Sequence, residues 1–217
     1  MAIKPDREYR NFASFDLIET RAEENDDHSL IVEGYASTFE PYVLFESDSE
    51  KWIEVINRHA FDETDLTDVV FLRDHVGTVL ARTKNNLVSL SVDDGGLFTK
   101  TDLSKTSAAR DMYEDIKAKN YTQMSFAFVS DRSSEVWEEK EEEGKTIITR
   151  SIGLVKKVFD ISAVAFPANP TTDIGLSARS LFDGEIERLK AERLEKEREI
   201  KRRAAMALKL RMLEQNL

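Results

Sequence analysis

Between Leu87 and Leu103 the chain sets Val88, Leu90 and Val92 in alternation with Ser89 and Ser91, then runs through Asp93-Asp94-Gly95-Gly96 into Leu97–Leu103. Alternation at a period of two sends successive side chains to opposite faces, which a strand does and a helix does not. The acidic and glycine quartet supplies turn chemistry, so this stretch predicts a β-hairpin. The same grammar recurs through the body of the chain. Ser29–Phe39 (SLIVEGYASTF) is β-rich with Gly34 as a candidate bulge, and Val69–Leu72 is a short apolar run. Tyr121–Val129 alternates Met124, Phe126 and Phe128 with Ser125, Ala127 and Val129, while Thr146–Ile152 and Val158–Phe166 add two strands. The proline-bounded Pro167-Ala168-Asn169-Pro170 stops the last of them. Glu138–Gly144 (EEKEEEG) is too charged for burial and predicts a hairpin tip or a loop.

One helix interrupts the strands. Ser104 or Thr106 can cap it, Ala108, Met112 and Ile116 fall on one face, and Asn120 can end it. From about Gly184 the grammar changes altogether, because EIERLKAERLEKEREIKRRAAMALKLRMLEQ holds no Gly or Pro and many oppositely charged pairs. That composition predicts a long helix, polar over much of its length, with apolar residues crowded toward Ala204–Leu213. Residues 185–217 carry seven acids and ten bases, a net of +3, so residues 1–184 carry −14 of the chain's overall −11. A basic tail on an acidic body divides the chain into a domain over 1–180 and a charged helical tail over 181–217.

Composition narrows the function classes. With 217 residues, 41% of them hydrophobic, the chain has material for one real core and some further sequence. No run approaches the roughly 18 apolar residues of a membrane span, and the charged MAIKPDREYRNF start has no apolar leader region. The absence of cysteine removes disulfides, thiolate nucleophiles and thiolate metal sites together. His28, His59 and His75 are too scattered for a metal-binding helix, and no phosphate-cradling glycine loop is present, so neither metal nor cofactor is expected. The net charge of −11 argues against binding to nucleic-acid phosphates.

The residues left for chemistry are Ser, His and Asp. A serine hydroxyl is a weak nucleophile until a base takes its proton and a third group holds that base. His75 follows the run Val69–Leu72, with Gly77 free to turn the backbone away. Ser125 shares a strand face with the small Ala127, while Met124, Phe126 and Phe128 anchor the other face. Asp160 opens DISAVAFP, where it shares a face with Ser162, Val164 and Phe166. Taken singly, each has an ordinary structural explanation: a loop histidine, a strand serine, an edge carboxylate.

Taken in order, six segments resemble the HK97-type phage prohead (capsid maturation) protease family: GYASTF at Gly34–Phe39, EVINRHAF at Glu54–Phe61, FLRDH at Phe71–His75, GGLFTKTDL at Gly95–Leu103, MSFAF at Met124–Phe128 and FDISAVAFPANP at Phe159–Pro170. The resemblance spans roughly residues 29–172. It implies that His75 is the general base, Ser125 the nucleophile and Asp160 the orienting acid. It also implies an α+β fold, a mainly antiparallel β-barrel of the herpesvirus assemblin type with a few flanking helices and the long C-terminal helix. Ala127 and His59 stand where many family members have glycine, which leaves His59 as a rival third member. Arg150 is a candidate oxyanion donor. The implied substrates are capsid or scaffold segments, cut inside assembling proheads in the host cytoplasm by a homo-oligomer; the resemblance is compatible with a dimer and leaves a larger ring open. The tail is suited to docking on scaffold helices. Two other classes stay open: a non-catalytic, scaffold-organising β-domain, and a hydrolase of small esters.

Overall fold

The computed structural model describes residues 7–11, 19–22 and 29–165, then 182, 184–192, 194–196, 198–203 and 206. The strands are β1 (Glu8–Asn11), β2 (Glu19–Ala22), β3 (Leu30–Thr38), β4 (Tyr42–Glu46), β5 (Glu50–Ile56) and β6 (Val70–Arg73). Next come β7 (Val76–Arg82), β8 (Val88–Val92), β9 (Gly96–Asp102) and the helix α1 (Ser107–Lys117). Then follow β10 (Gln123–Ser130), β11 (Glu135–Glu142), β12 (Lys145–Ile152) and β13 (Val155–Val164). The chain divides into two compact units, Met1–Ala178 and Arg179–Leu217.

The first unit is α+β and strand-rich. Its ladders form three sheets, ordered β1-β10-β13-β6-β7, β11-β12-β5-β4 and β2-β3-β9-β8. No closed barrel is detected among the described residues; each sheet ends in two edge strands. Most pairs are antiparallel, but β12 runs parallel to β5 and β13 parallel to β6. These parallel ladders join segments far apart in sequence, a connection that local alternation cannot reveal. Among the described residues, α1 is the one α-helix of this unit, against the few expected.

The Val88–Leu103 hairpin forms as its alternation predicts, with Val92 opposite Leu97. Asp93 Oδ1 accepts from the backbone N–H groups of Gly95 and Gly96, closing the turn. Gly96 is required there: its φ is +146°, and a Cβ would lie 2.1 Å from the Ser37 carbonyl oxygen. The bulge in β3 falls at Ala36, not at Gly34, which pairs normally with Thr99. Thr106, rather than Ser104, caps α1, accepting from the N–H of Ala109 at 3.1 Å. The buried helix face is Ala109, Met112, Tyr113 and Ile116, which enters the core beside Phe71, Phe126, Phe128 and Ile161. Against the expected face, Ala109 replaces Ala108 and Tyr113 is added, and the helix ends at Lys117 with Ala118 as its cap, not at Asn120, before Lys119 turns left-handed at φ +63°.

Glu138–Glu142 forms most of β11 rather than a loop, paired with β12 along its whole length. Its charges are tolerated because this half of the strand is solvent-facing, and the turn is confined to Glu143 and Gly144, both at positive φ.

In the second unit the described residues from 182 to 206 are helical. Arg188 pairs with Glu185 and Glu192 at 2.6 Å each, and Arg203 pairs with Glu199, the spacing that brings side chains together on one helix face. Leu194, Ile200 and Met206 are exposed. None of the described helices is long and apolar enough to cross a membrane. Phe166, Pro167–Pro170, His28 and most of Ala204–Leu213 lie outside the described residues.

Candidate active site

Sheet order decides which polar side chains can meet. β10 lies beside β13, and β13 beside β6, so Ser125, Asp160 and the end of β6 sit on three adjacent strands. Ser125 is the register partner of Ser162, and Ala127 the partner of Asp160. Residues two apart share a face, so Ser125 and Asp160 are diagonal neighbours on the same surface of the sheet. The opposite surface carries Met124, Phe126 and Phe128 into the core.

His75 reaches that surface from the turn after β6. Arg73 pairs with Val76, so the loop is the two residues Asp74 and His75, both left-handed at φ 47° and 60°. Positive φ at both central residues is what the right-handed twist of a tight hairpin demands, and neither residue is glycine. The conformation is held from outside: the Asp74 N–H donates to the Ala163 carbonyl at 3.0 Å, and the His75 N–H to Ser162 Oγ at 3.2 Å. Backbone strain of this kind persists only where surroundings enforce it. Gly77 also has positive φ, but the chain turns before it.

The resulting contacts form a chain. His75 Nε2 lies 2.5 Å from Ser125 Oγ, and His75 Nδ1 lies 2.5 Å from Asp160 Oδ1. An ionised carboxylate only accepts, so Nδ1 carries a hydrogen and the Nε2 lone pair faces the hydroxyl. Ser162 was not among the residues singled out from sequence, although its place two residues after Asp160 on the same face was legible. Its hydroxyl donates to Asp160 Oδ1 at 3.1 Å while accepting from the His75 N–H, bracing both. Ser125 and Ser162 are fully buried, and the His75 side chain is 2% exposed.

His59 takes no part in this chain. It is exposed, and its Nδ1 meets Asp62 Oδ2 at 3.0 Å.

Arg150 is likewise not free to stabilise an oxyanion. It is fully buried, and its donors are spent on carboxylates: Glu8 at 2.5 and 2.9 Å, Glu54 at 2.7 Å, and Glu135 at 2.5 and 3.0 Å. Arg10 joins the same network, its Nε and Nη2 gripping both oxygens of Glu54 at 2.5 and 2.8 Å. Tyr42 also donates to Glu54. Burial pushes the Glu8 carboxyl up, but Arg10 and Arg150 overcome it and hold its pKa at about 2. For Glu54 burial again raises, Arg10 and Arg150 lower, and the net direction is down. Both guanidiniums are held charged, burial being outweighed by Glu54 and Glu8. Arg150 was a candidate oxyanion donor; only the partners brought by distant segments show its place.

A cleft of about 430 Å³ is lined by Arg73, Asp74 and Val76 from the β6–β7 turn and by Asp111 and Asp115 of α1. No group of three or more His, Asp or Glu side chains among the described residues is arranged to hold a metal ion.

Compared with known proteins, the chain matches the family model of the caudovirus prohead serine proteases over residues 16–185. Among solved structures it is similar to the bacteriophage T4 capsid assembly protease, gp21, at 10% sequence identity and a TM-score of 0.37, covering 75% of this chain and 98% of that one. No curated protein matches it.

Proposed function

Because this chain belongs to the caudovirus prohead serine protease family, we propose that Ser125, His75 and Asp160 are its nucleophile, general base and orienting acid. The observation that carries this reading is the pair of 2.5 Å contacts that run from Ser125 through His75 to Asp160. Ser125 Oγ attacks a peptide carbonyl carbon while its proton passes to His75 Nε2. As the carbon–nitrogen bond breaks, that proton goes to the leaving amine, and an acyl-enzyme remains on Ser125. Water then attacks the acyl carbon as the same imidazole takes its proton, the bond from that carbon to Ser125 Oγ breaks, and the proton returns to Ser125 Oγ as the acid leaves. Asp160 keeps the proton-bearing Nδ1 turned toward itself and stabilises the imidazolium that forms. Ser162 acts through these two as a positioning residue.

The substrates in this reading are segments of capsid or scaffold proteins, cut within assembling proheads in the host cell. Confinement there raises effective concentration, so tight substrate binding is unnecessary. The test is co-expression of the wild-type chain or Ser125→Ala with the capsid protein, followed by intact mass measurement. Shortened capsid or scaffold chains are expected with the wild type alone. Identical masses from the two would sink the enzymatic reading and leave a scaffold-organising domain in its place.

A further inference from the structure

A nucleophile must meet its carbonyl carbon at about 3–3.5 Å, yet Ser125 is fully buried. Part of what occupies that approach is β1. This strand forms the outer edge of its sheet and runs antiparallel along β10, from Glu8 opposite Phe128 to Asn11 opposite Ser125. Its Arg10 carbonyl oxygen accepts from Ser125 Oγ at 2.8 Å, and the Tyr9 ring stands edge-on to His75 with centroids 4.9 Å apart. A hydroxyl has one hydrogen, and here two acceptors contend for it: His75 Nε2 and the Arg10 carbonyl. An extended strand laid on a sheet edge, with a carbonyl at the nucleophile, has the posture of a peptide bound by strand addition.

The charges beneath β1 say what kind of peptide fits. Arg10 and Glu8 both come from β1, whereas Glu54, Glu135 and Arg150 belong to β5, β11 and β12. With β1 lifted away, one buried base is left facing two buried carboxylates. Glu54 then loses Arg10 and shares Arg150 with Glu135; an under-compensated buried carboxylate is costly, so the vacated place selects a cationic side chain.

Building on the triad reading above, we propose that β1 is an intramolecular occupant of the substrate groove. The β10 edge receives an extended peptide whose carbonyl at Ser125 belongs to an Arg or Lys, with that side chain directed to Glu54, and β1 must leave before such a peptide enters.

The sequence has no cysteine, so Tyr9→Cys with Ala127→Cys, at register partners, introduces a single disulfide that ties β1 down. In the full chain, the oxidised form should label at Ser125 with a fluorophosphonate probe at least tenfold more slowly than the reduced form. Equal labelling of both forms overturns the proposal and leaves the triad intact. Absence of Ser125 labelling in the reduced form, together with a wild-type chain that leaves co-expressed capsid protein uncut, removes the triad reading, and this inference with it. Independently of those variants, the wild-type chain is offered fluorogenic peptides that differ only in the residue before the cut. Arg and Lys peptides should be cleaved at least tenfold faster than Glu or Ala peptides; equal or reversed rates overturn the cationic subsite.

Discussion

Two polar clusters lie on opposite faces of the β1–β10 ladder, and they are built on different principles. On one face, Ser125, His75 and Asp160 form a line of hydrogen bonds with a single carboxylate and protons that can move. On the other, Arg10, Arg150, Glu8, Glu54 and Glu135 form a knot of fixed charges drawn from β1, β5, β11 and β12. The pleat separates them: Glu8 and Arg10 oppose Phe128 and Phe126, while Tyr9 opposes Ala127. The contrast teaches a division of labour. In the function proposed above, the line moves a proton. The knot moves nothing, but it ties two sheets together, since β1 and β12 belong to different ones.

The largest expected effect breaks the line without touching the knot. Asp160→Asn keeps shape but removes the charge that fixes the imidazole, so peptide cleavage should fall by about ten-thousandfold. Urea unfolding of the same variant should shift by no more than about 1 kcal/mol. A stability loss several times larger would erase the distinction between the clusters.

Arg150→Met makes the converse cut. It leaves Glu135 without its buried counter-charge and Glu8 and Glu54 with Arg10 alone, and removing one partner from such a group typically costs about 3–5 kcal/mol. Urea denaturation measures this directly, and a cost under about 1 kcal/mol contradicts the role given to the knot.

Acid should loosen the knot by a smaller, graded amount. Glu8 in the folded chain sits at about 2, below its ordinary value of 4.5, and Glu54 is also lowered. A carboxyl depressed by folding stabilises in full above its unfolded pKa and loses that contribution as pH falls through the folded one. Urea midpoints should therefore decline as pH drops from about 4.5 toward 2, and Glu8→Gln should show a shallower decline over that window. An unchanged slope in the variant means Glu8 is not among the groups responsible.

The smallest effect sharpens the line itself. Ser162→Ala removes the brace on Asp160 and His75, and kcat/KM should fall by about tenfold, near the 1.4 kcal/mol of one good hydrogen bond. Its acidic limb in the pH–rate profile should move as well, which a purely structural role does not produce. A stability change with an unmoved profile removes Ser162 from the positioning set.

Much of the reactive line was legible before any fold was known. Period-two alternation places Ser125 with Ala127 and Asp160 with Ser162, because side-chain direction along a strand is a local property. The order of the six family-like segments then separated these residues from ordinary strand polar groups. The knot was illegible for the opposite reason. Arg10 and Glu54 are 44 positions apart, and Arg150 and Glu8 are 142 apart, so no local pattern connects them. The charged run Glu138–Gly144 does contain a hairpin tip, but the tip is only Glu143-Gly144 and the rest pairs with β12.

The alternating strands and the change of character near residue 184 are thus local properties of the sequence, and the family-like order of its segments singles out the three side chains in the line. Only tertiary structure decided that the strands join through two parallel ladders into three sheets, that Arg150 is enclosed by carboxylates, and that β1 lies across Ser125. The physical reason is range. Side-chain direction is set within a few residues, whereas burial, counter-charge and occlusion depend on which distant segments the core brings together.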